Sequence, residues 1–187
     1  MNIINYGKAL SSISGNEYIR SFIGKVKFEK IKDIQNKKAF YKAKEVKKNK
    51  NISIIEIACF CNNDIFEKMT VTIVLNCNMN NKKKDISNNF HVNENEYIQF
   101  SKKDIEEFSF LVSDMNPIHL EEKAVVQGML IIKRIIDNYN ISNGFNIRFL
   151  NPAYEMEKIY MYKYNNENKK AIEGTSKSFK YFEFLEG

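Results

Sequence analysis

The stretch Gly128-Met129-Leu130-Ile131-Ile132-Lys133-Arg134-Ile135-Ile136 narrows the possible folds more than any other part of the chain. Read at 3.6 residues per turn, its apolar positions cover more than one face. A helix from about Gly128 to Tyr139 must therefore be buried nearly all round, and something has to wrap it. The neighbouring sequence offers strands for that purpose. AFYKAKEV, NISIIEIACF and KMTVTIVL, between residues 40 and 78, are rich in β-branched and aromatic residues, with a turn at Cys61-Asn62-Asn63-Asp64. FNIRFL and EKIYMYKY follow the helix, then a turn at Asn165-Asn166-Glu167-Asn168 and KKAIEGTSKSFKYFEF, read as one further long strand. Before it, Tyr97 to Phe100 is a short strand, and Ser101 with Asp104 forms a capping box. That box opens a helix whose apolar face is Ile105, Phe108, Leu111 and Val112, and which Pro117 closes. Gly144 is the stop signal for the buried helix. Strands at hairpin spacing exclude a doubly wound parallel sheet. The expected class is α+β, an antiparallel sheet wrapped around one central helix.

The organisation expected is a strand-rich N-terminal half over 1–80, a polar Asn- and Lys-heavy linker over 81–95, and a C-terminal domain over 96–187. With 187 residues, 43% apolar, 14 Phe and 10 Tyr, the chain can bury a sizeable core. Only 7 Gly and 2 Pro argue against collagen-like or low-complexity chains. No apolar run reaches a membrane span, and MNIINYGKAL lacks the layout of a signal peptide, so the expected compartment is the cytoplasm. Cys59, Cys61 and Cys77 show no CxxC spacing. Cys59 and Cys61 share one face of a strand and read as reduced core thiols. With only two histidines in the chain, neither a metal nor a redox cofactor is expected. The net charge of +6 is almost all lysine, eleven of them between Lys25 and Lys50. Arginine occurs only at Arg20, Arg134 and Arg148. That stripe lacks what a nucleic-acid surface uses, and reads first as a solvated lysine face, second as a surface for an acidic partner or phosphate-bearing ligand.

Residues able to do chemistry converge on Ser113-Asp114-Met115-Asn116-Pro117-Ile118-His119, between the two helices. This places a carboxylate and an imidazole five positions apart on a proline-restricted loop, where rigid elements hold irregular backbone. Asp can act as a base, and His exchanges protons near neutral pH. Downstream, Gln127-Gly128-Met129 opens the buried helix. Free N–H groups there, approachable because Gly128 has no side chain, can polarise a bound carbonyl. A base, an acid and a polarising amide suffice to add water to an α,β-unsaturated carbonyl. On the residues alone, a turn aspartate and a satisfied core histidine fit the same pattern.

The order Asp-x-Asn-Pro-Ile-His, between a helix reading DIEEFSFLVS and the helix start QGML, resembles the MaoC-like dehydratases. These are the (R)-specific enoyl-CoA hydratases and related hydroxyacyl-thioester dehydratases. FNIRFLNPAYEMEKIY, with Phe149 and Pro152 at a corner, extends the likeness to roughly residues 97–187. The resemblance implies a hot-dog fold and a hydro-lyase acting on thioesters of coenzyme A or acyl carrier protein, without a cofactor. It implies Asp114 and His119 as the catalytic pair. Gly128 would bind the thioester oxygen, with Asn116, Gln127 and Met129 beside it on the substrate side and Asn116 orienting the loop. Three departures stand against the pattern. The stretch Leu120 to Gln127 is short, and Gln127 stands where the family often has histidine. The C-terminal end has room for only one further strand. The N-terminal half shows no second motif and no obvious buried helix. It reads as a degenerate partner repeat of a shortened double hot dog, or else as an extension of the sheet. If it fails to form a partner unit, a homodimer is expected. The other functional readings are a non-catalytic acyl-thioester-binding subunit and a hot-dog thioesterase.

Overall fold

A computed structural model describes residues 1–33, 38–62, 64–75, 95–141, 144–166 and 169–187. The linker expected over 81–95 lies, apart from Asn95, outside the described residues, as does Cys77. Helix α1 (Ile3–Ser11) is followed by strands β1 (Phe22–Lys30), β2 (Phe40–Lys48), β3 (Ile52–Cys61) and β4 (Asp64–Val74). A two-residue strand β5 (Tyr97–Ile98) precedes α2 (Lys102–Val112) and α3 (Gly128–Tyr139). Strands β6 (Phe145–Phe149), β7 (Ile159–Asn166), β8 (Lys169–Thr175) and β9 (Lys180–Glu186) complete the chain.

The nine strands among the described residues form one antiparallel sheet in the order β2-β3-β4-β1-β6-β9-β8-β7-β5. Counting outward from the β1–β6 pair, β1, β4, β3 and β2 on one side are matched by β6, β9, β8 and β7 on the other, and β5 is added beyond β7. A helix followed by four strands thus occurs twice. The seam itself is short: Lys25 to Phe28 lie opposite Arg148 to Phe145. Stacked rings carry the core across it, Phe28 on Phe145 at 5.4 Å and Phe145 on Phe184 at 5.1 Å between centroids.

Local departures from the sequence reading have identifiable causes. No helix and no strand before residue 40 was expected, yet α1 and β1 are both present. In α1, Ile3, Tyr6 and Ala9 are buried, but nine residues are too few for the periodicity to stand out. A Cβ on Gly7 would come within 2.7 Å of Val112, so this glycine lets α1 pass close to α2. The capping box at Ser101 and Asp104 is formed. The buried face of α2 is Ile105, Phe108, Ser109 and Val112, while Leu111 is exposed. That helix ends in a left-handed Ser113 (φ 59, ψ 34) rather than at Pro117. In α3, Met129 to Ile132 are all buried, but later only Ile135 is, so burial is all round for the first turn and one-sided thereafter. Left-handed Asn140 terminates α3. Gly144 instead serves packing, since a Cβ there would sit 2.9 Å from the Phe28 carbonyl oxygen. The single strand expected after residue 169 is the hairpin β8–β9. Ser176 Oγ accepts from the N–H groups of Ser178 and Phe179 at 3.1 and 3.0 Å, making a turn without glycine or asparagine. Cys59 and Cys61 are buried free thiols on one face of β3. Among the described residues no helix is long and apolar enough to cross a membrane.

Candidate active site

The left-handed turn at Ser113 releases the chain from α2, and the Asp114 N–H still bonds back to the Ser109 carbonyl at 2.9 Å. The Asp114 carboxylate then accepts from the Asn116 N–H (3.1 Å), and Pro117 opens a single 3-10 turn over Pro117–His119. That folding brings Asp114 Oδ2 within 3.5 Å of His119 Nε2. The separation exceeds an ordinary hydrogen bond, and a small molecule seated to the side of the pair can reach both groups at once.

The environment of His119 fixes its state. Its Nδ1 lies 2.7 Å from the Val125 carbonyl oxygen, which can only accept, so Nδ1 carries the hydrogen and Nε2 offers its lone pair. Burial pushes its pKa below the ordinary histidine value; the Asp114 charge and the Val125 bond push the other way without prevailing. The imidazole is therefore neutral near pH 7, with its basic nitrogen facing a carboxylate. Asp114 is the more open of the two, its side chain 31% exposed against 8% for His119.

Asn116 reaches across to the N-terminal half. Its Oδ1 accepts from the Arg20 N–H at 3.0 Å, and its Nδ2 donates to the Ser21 carbonyl at 3.1 Å. Arg20 adopts a left-handed backbone (φ 60), and its guanidinium pairs with Glu121 just past His119. Sequence reasoning missed Arg20 and Ser21, since no pattern in the chain signals a contact spanning 95 residues. Asn116, read both as a substrate-side residue and as orienting the loop, lines the cavity while both of its polar side-chain atoms bond to backbone of the N-terminal half.

Gly128 opens α3, and the preceding Gln127 makes no side-chain cap. The Leu130 and Ile131 N–H groups both turn back to the Gln127 carbonyl, each at 3.1 Å. The N–H groups of Gly128 and Met129 therefore head the helix with no bond recorded among the described residues. A Cβ on Gly128 would stand 3.2 Å from the Phe149 ring and 3.3 Å from Ile23, so a side chain there needs neighbours from both halves to give by a few tenths of an ångström. Gln127 Nε2 donates to the Ile105 carbonyl (3.0 Å) and to Ser109 Oγ (2.5 Å), tying α3 to α2. Its Oε1 is buried and has no partner among the described residues.

Asp114, Asn116, His119, Gln127, Gly128 and Met129 all line one cavity of about 1100 Å³. The N-terminal half contributes Gly7 and Leu10 of α1 and Ile23 of β1; the C-terminal half contributes Phe108 and Phe149. Among the described residues no group of His, Cys, Asp and Glu comes together to hold a metal ion.

No family model and no curated protein sequence matches the chain. Solved structures do. HtdX from Mycobacterium tuberculosis superposes with a TM-score of 0.72 at 10% identity, over 98% of this chain and 84% of that one. A MaoC-like dehydratase from Phytophthora capsici gives 0.60 at 11% identity, over 94% and 74%. The chain has a hot-dog fold. An acyl-ACP thioesterase from Bacteroides thetaiotaomicron shares the fold as well, with a TM-score of 0.59 at 12% identity over 88% and 74%. The hot-dog architecture is therefore common to two chemistries, and the choice between them rests on side chains.

Proposed function

We propose that this hot-dog protein is a hydro-lyase that adds water to trans-2-enoyl thioesters and removes it from (R)-3-hydroxyacyl thioesters, carried by coenzyme A or acyl carrier protein. The observation that carries this reading is the Asp114–His119 pair, with Nδ1 of His119 tied to the Val125 carbonyl, in the same cavity as the uncapped start of α3. In hydration the thioester oxygen sits on the Gly128 N–H, where the positive end of α3 stabilises the negative charge that develops on it. A water beside the pair, within reach of both Asp114 and His119, gives one proton to Nε2 while its oxygen bonds to C3. The displaced π electrons pass through C2 to the thioester oxygen. The imidazolium, held beside the Asp114 carboxylate, then returns the proton to C2, so that H and OH have been added and the pair is restored. Dehydration reverses each step.

The N-terminal half is read as a second, degenerate hot-dog unit: it repeats the strand order of β6 to β9 but, among the described residues, brings no Asp or His to the cavity. The homodimer expected from the sequence was tied to that half failing to form a partner unit. As both halves line the cavity, a second copy is not needed to complete it. A cytoplasmic location belongs to the same proposal.

The test is loss of the conjugated enoyl absorbance with a short trans-2-enoyl-CoA. Asp114→Asn and His119→Ala should each slow turnover by about 10²–10⁴-fold while the protein still melts cooperatively. Unchanged turnover in both variants overturns the assignment. Release of free thiol in place of hydration would make the protein a thioesterase, and binding without turnover a thioester-binding subunit.

A further inference from the structure

Strand alternation in the N-terminal half buries one face of β1, β3 and β4 and leaves the other open. At one end of the open face lies an apolar row. Phe40 at the start of β2 pairs with Phe60 near the end of β3, and Phe60 pairs in turn with Ile65 at the start of β4. The Phe40 and Phe60 rings stack at 5.2 Å between centroids, with 11° between their planes. Ile31, just past β1, joins the row by donating its N–H to the Phe66 carbonyl at 2.8 Å. Phe40, Ile31 and Ile65 are 52%, 53% and 39% exposed, so folding leaves much of the row open. Lysines come next. On β2 the open face continues with Lys42, Lys44 and, past an irregularity at Val46, Lys47, opposite Ala58, Glu56 and Ile54 in register. Lys68 of β4 with Lys25 and Lys27 of β1 share the face. Its two carboxylates among the described residues are taken, Glu29 by Lys27 and Glu56 by Lys68, each at 2.8 Å. No ion pair of Lys25, Lys42, Lys44 or Lys47 occurs among the described residues. At the apolar end, Asp33 and Asp64 are each matched by a lysine, Lys30 at 2.5 Å and Lys32 at 3.4 Å. An open apolar row is thus backed by cations that no carboxylate offsets.

We propose that this end of the sheet docks on an anionic lipid surface. Same-face residues two apart on a strand are separated by about 6.7 Å. An apolar row lowered about 5–10 Å into the boundary between headgroups and acyl chains therefore holds the first lysines, Lys42 and Lys68, level with the lipid phosphates. Other occupants suit the face less well. A second copy of the chain would bring two cationic faces together, and these repel. Nucleic acid calls for arginine and free ring faces. Strands β1 to β4 carry no arginine, and Phe40 and Phe60 have closed ring faces on each other. An acidic protein would meet the lysines, but aliphatic Ile31 and Ile65 beside the rings match acyl chains. Docking of this kind is independent of the reaction in the cavity. Phe22 to Gly24 of β1 and Ile73 and Val74 of β4 line that cavity, at the opposite ends of those strands from the apolar row, so docking does not cover them.

The chain has no tryptophan, so Phe40→Trp puts a single indole in the apolar row. The experiment is sedimentation with vesicles of phosphatidylcholine containing about 30% phosphatidylserine, beside vesicles of phosphatidylcholine alone, with indole emission read in parallel. The expected result is binding to the anionic vesicles with a blue shift of the indole, little binding to the neutral ones, and a decline as salt is raised. Lys42→Gln and Lys44→Gln should each weaken binding about fivefold. Phe40→Thr combined with Ile65→Thr should weaken it at every salt concentration. Circular dichroism melts check that these exposed substitutions leave the fold in place. No binding to the anionic vesicles overturns the proposal. So does binding without a blue shift that the Phe40→Thr, Ile65→Thr variant keeps in full, since that is lysine attraction alone. Capture of polyglutamate or oligouridylate in the absence of vesicle binding overturns it in favour of an acidic protein or an RNA.

Discussion

Replacing His119 with glutamine should remove a particular pH dependence of stability. An unfolded chain protonates this histidine as the pH falls through about 6.5. In the folded protein burial depresses the pKa, so over that range the unfolded state binds more protons and stability falls with pH. The Asp114 charge opposes the depression without cancelling it. One proton taken up by the unfolded state alone is worth ~1.4 kcal/mol per pH unit once the unfolded group is titrating. Between pH 7.5 and 5.5 the loss therefore approaches about 1.4 kcal/mol, or roughly 3–5 °C in Tm for a chain of this size. The assay is a thermal melt followed by circular dichroism across that range, wild type beside His119→Gln. His91, present in both proteins, cancels in the difference. The wild-type curve should fall away from the variant's on the acid side only, and Asp114→Asn should carry the fall further into acid by removing the charge that favours the imidazolium. Parallel curves would mean that His119 is solvated in the native state and that a neutral Nε2 base is the wrong description.

Asn116→Leu leaves the Arg20 N–H and the Ser21 carbonyl without their side-chain partner and should cost about 1–3 kcal/mol in a denaturant titration. It should also lower kcat, by releasing the Asp114–His119 loop; undiminished kcat would make the clasp purely structural. Gly128→Val places methyl groups against Phe149 and Ile23, so an overpacking cost of about 1–3 kcal/mol is expected, with turnover falling more than stability does. Full activity in a folded Gly128→Val protein would remove the amide from the mechanism.

The sequence was most legible where local chemistry is strongest. The β3–β4 hairpin, the capping box at Ser101 and the Asp114-to-His119 loop each declare themselves within a dozen residues. Illegible features depend on distant contacts or on small residues. Helix α1 is short and carries Gly7 in its middle, which propensity disfavours and the close pass by Val112 requires. Strand β1 does alternate, Lys25 and Lys27 out and Val26 and Phe28 in, but the run is short and merges with the lysine-rich stretch that reads as a solvated face. Gln127 has no local signature at all: its bonds to Ile105 and Ser109 lie some twenty residues upstream. The motif places Asp114 and His119 close together in the sequence, but gives no sign that the loop holding them is pinned by backbone at Arg20 and Ser21.

The β1–β6 seam has a further consequence, in mass action. Where two separate subunits must meet to complete a cavity, the fraction of complete sites depends on protein concentration and vanishes on dilution. Here both sides of the seam belong to one chain, and closing it is an intramolecular event governed by an effective concentration that dilution does not alter. A seam of only four paired residues can then suffice, because tethering supplies the proximity that a larger interface between free subunits would otherwise have to provide.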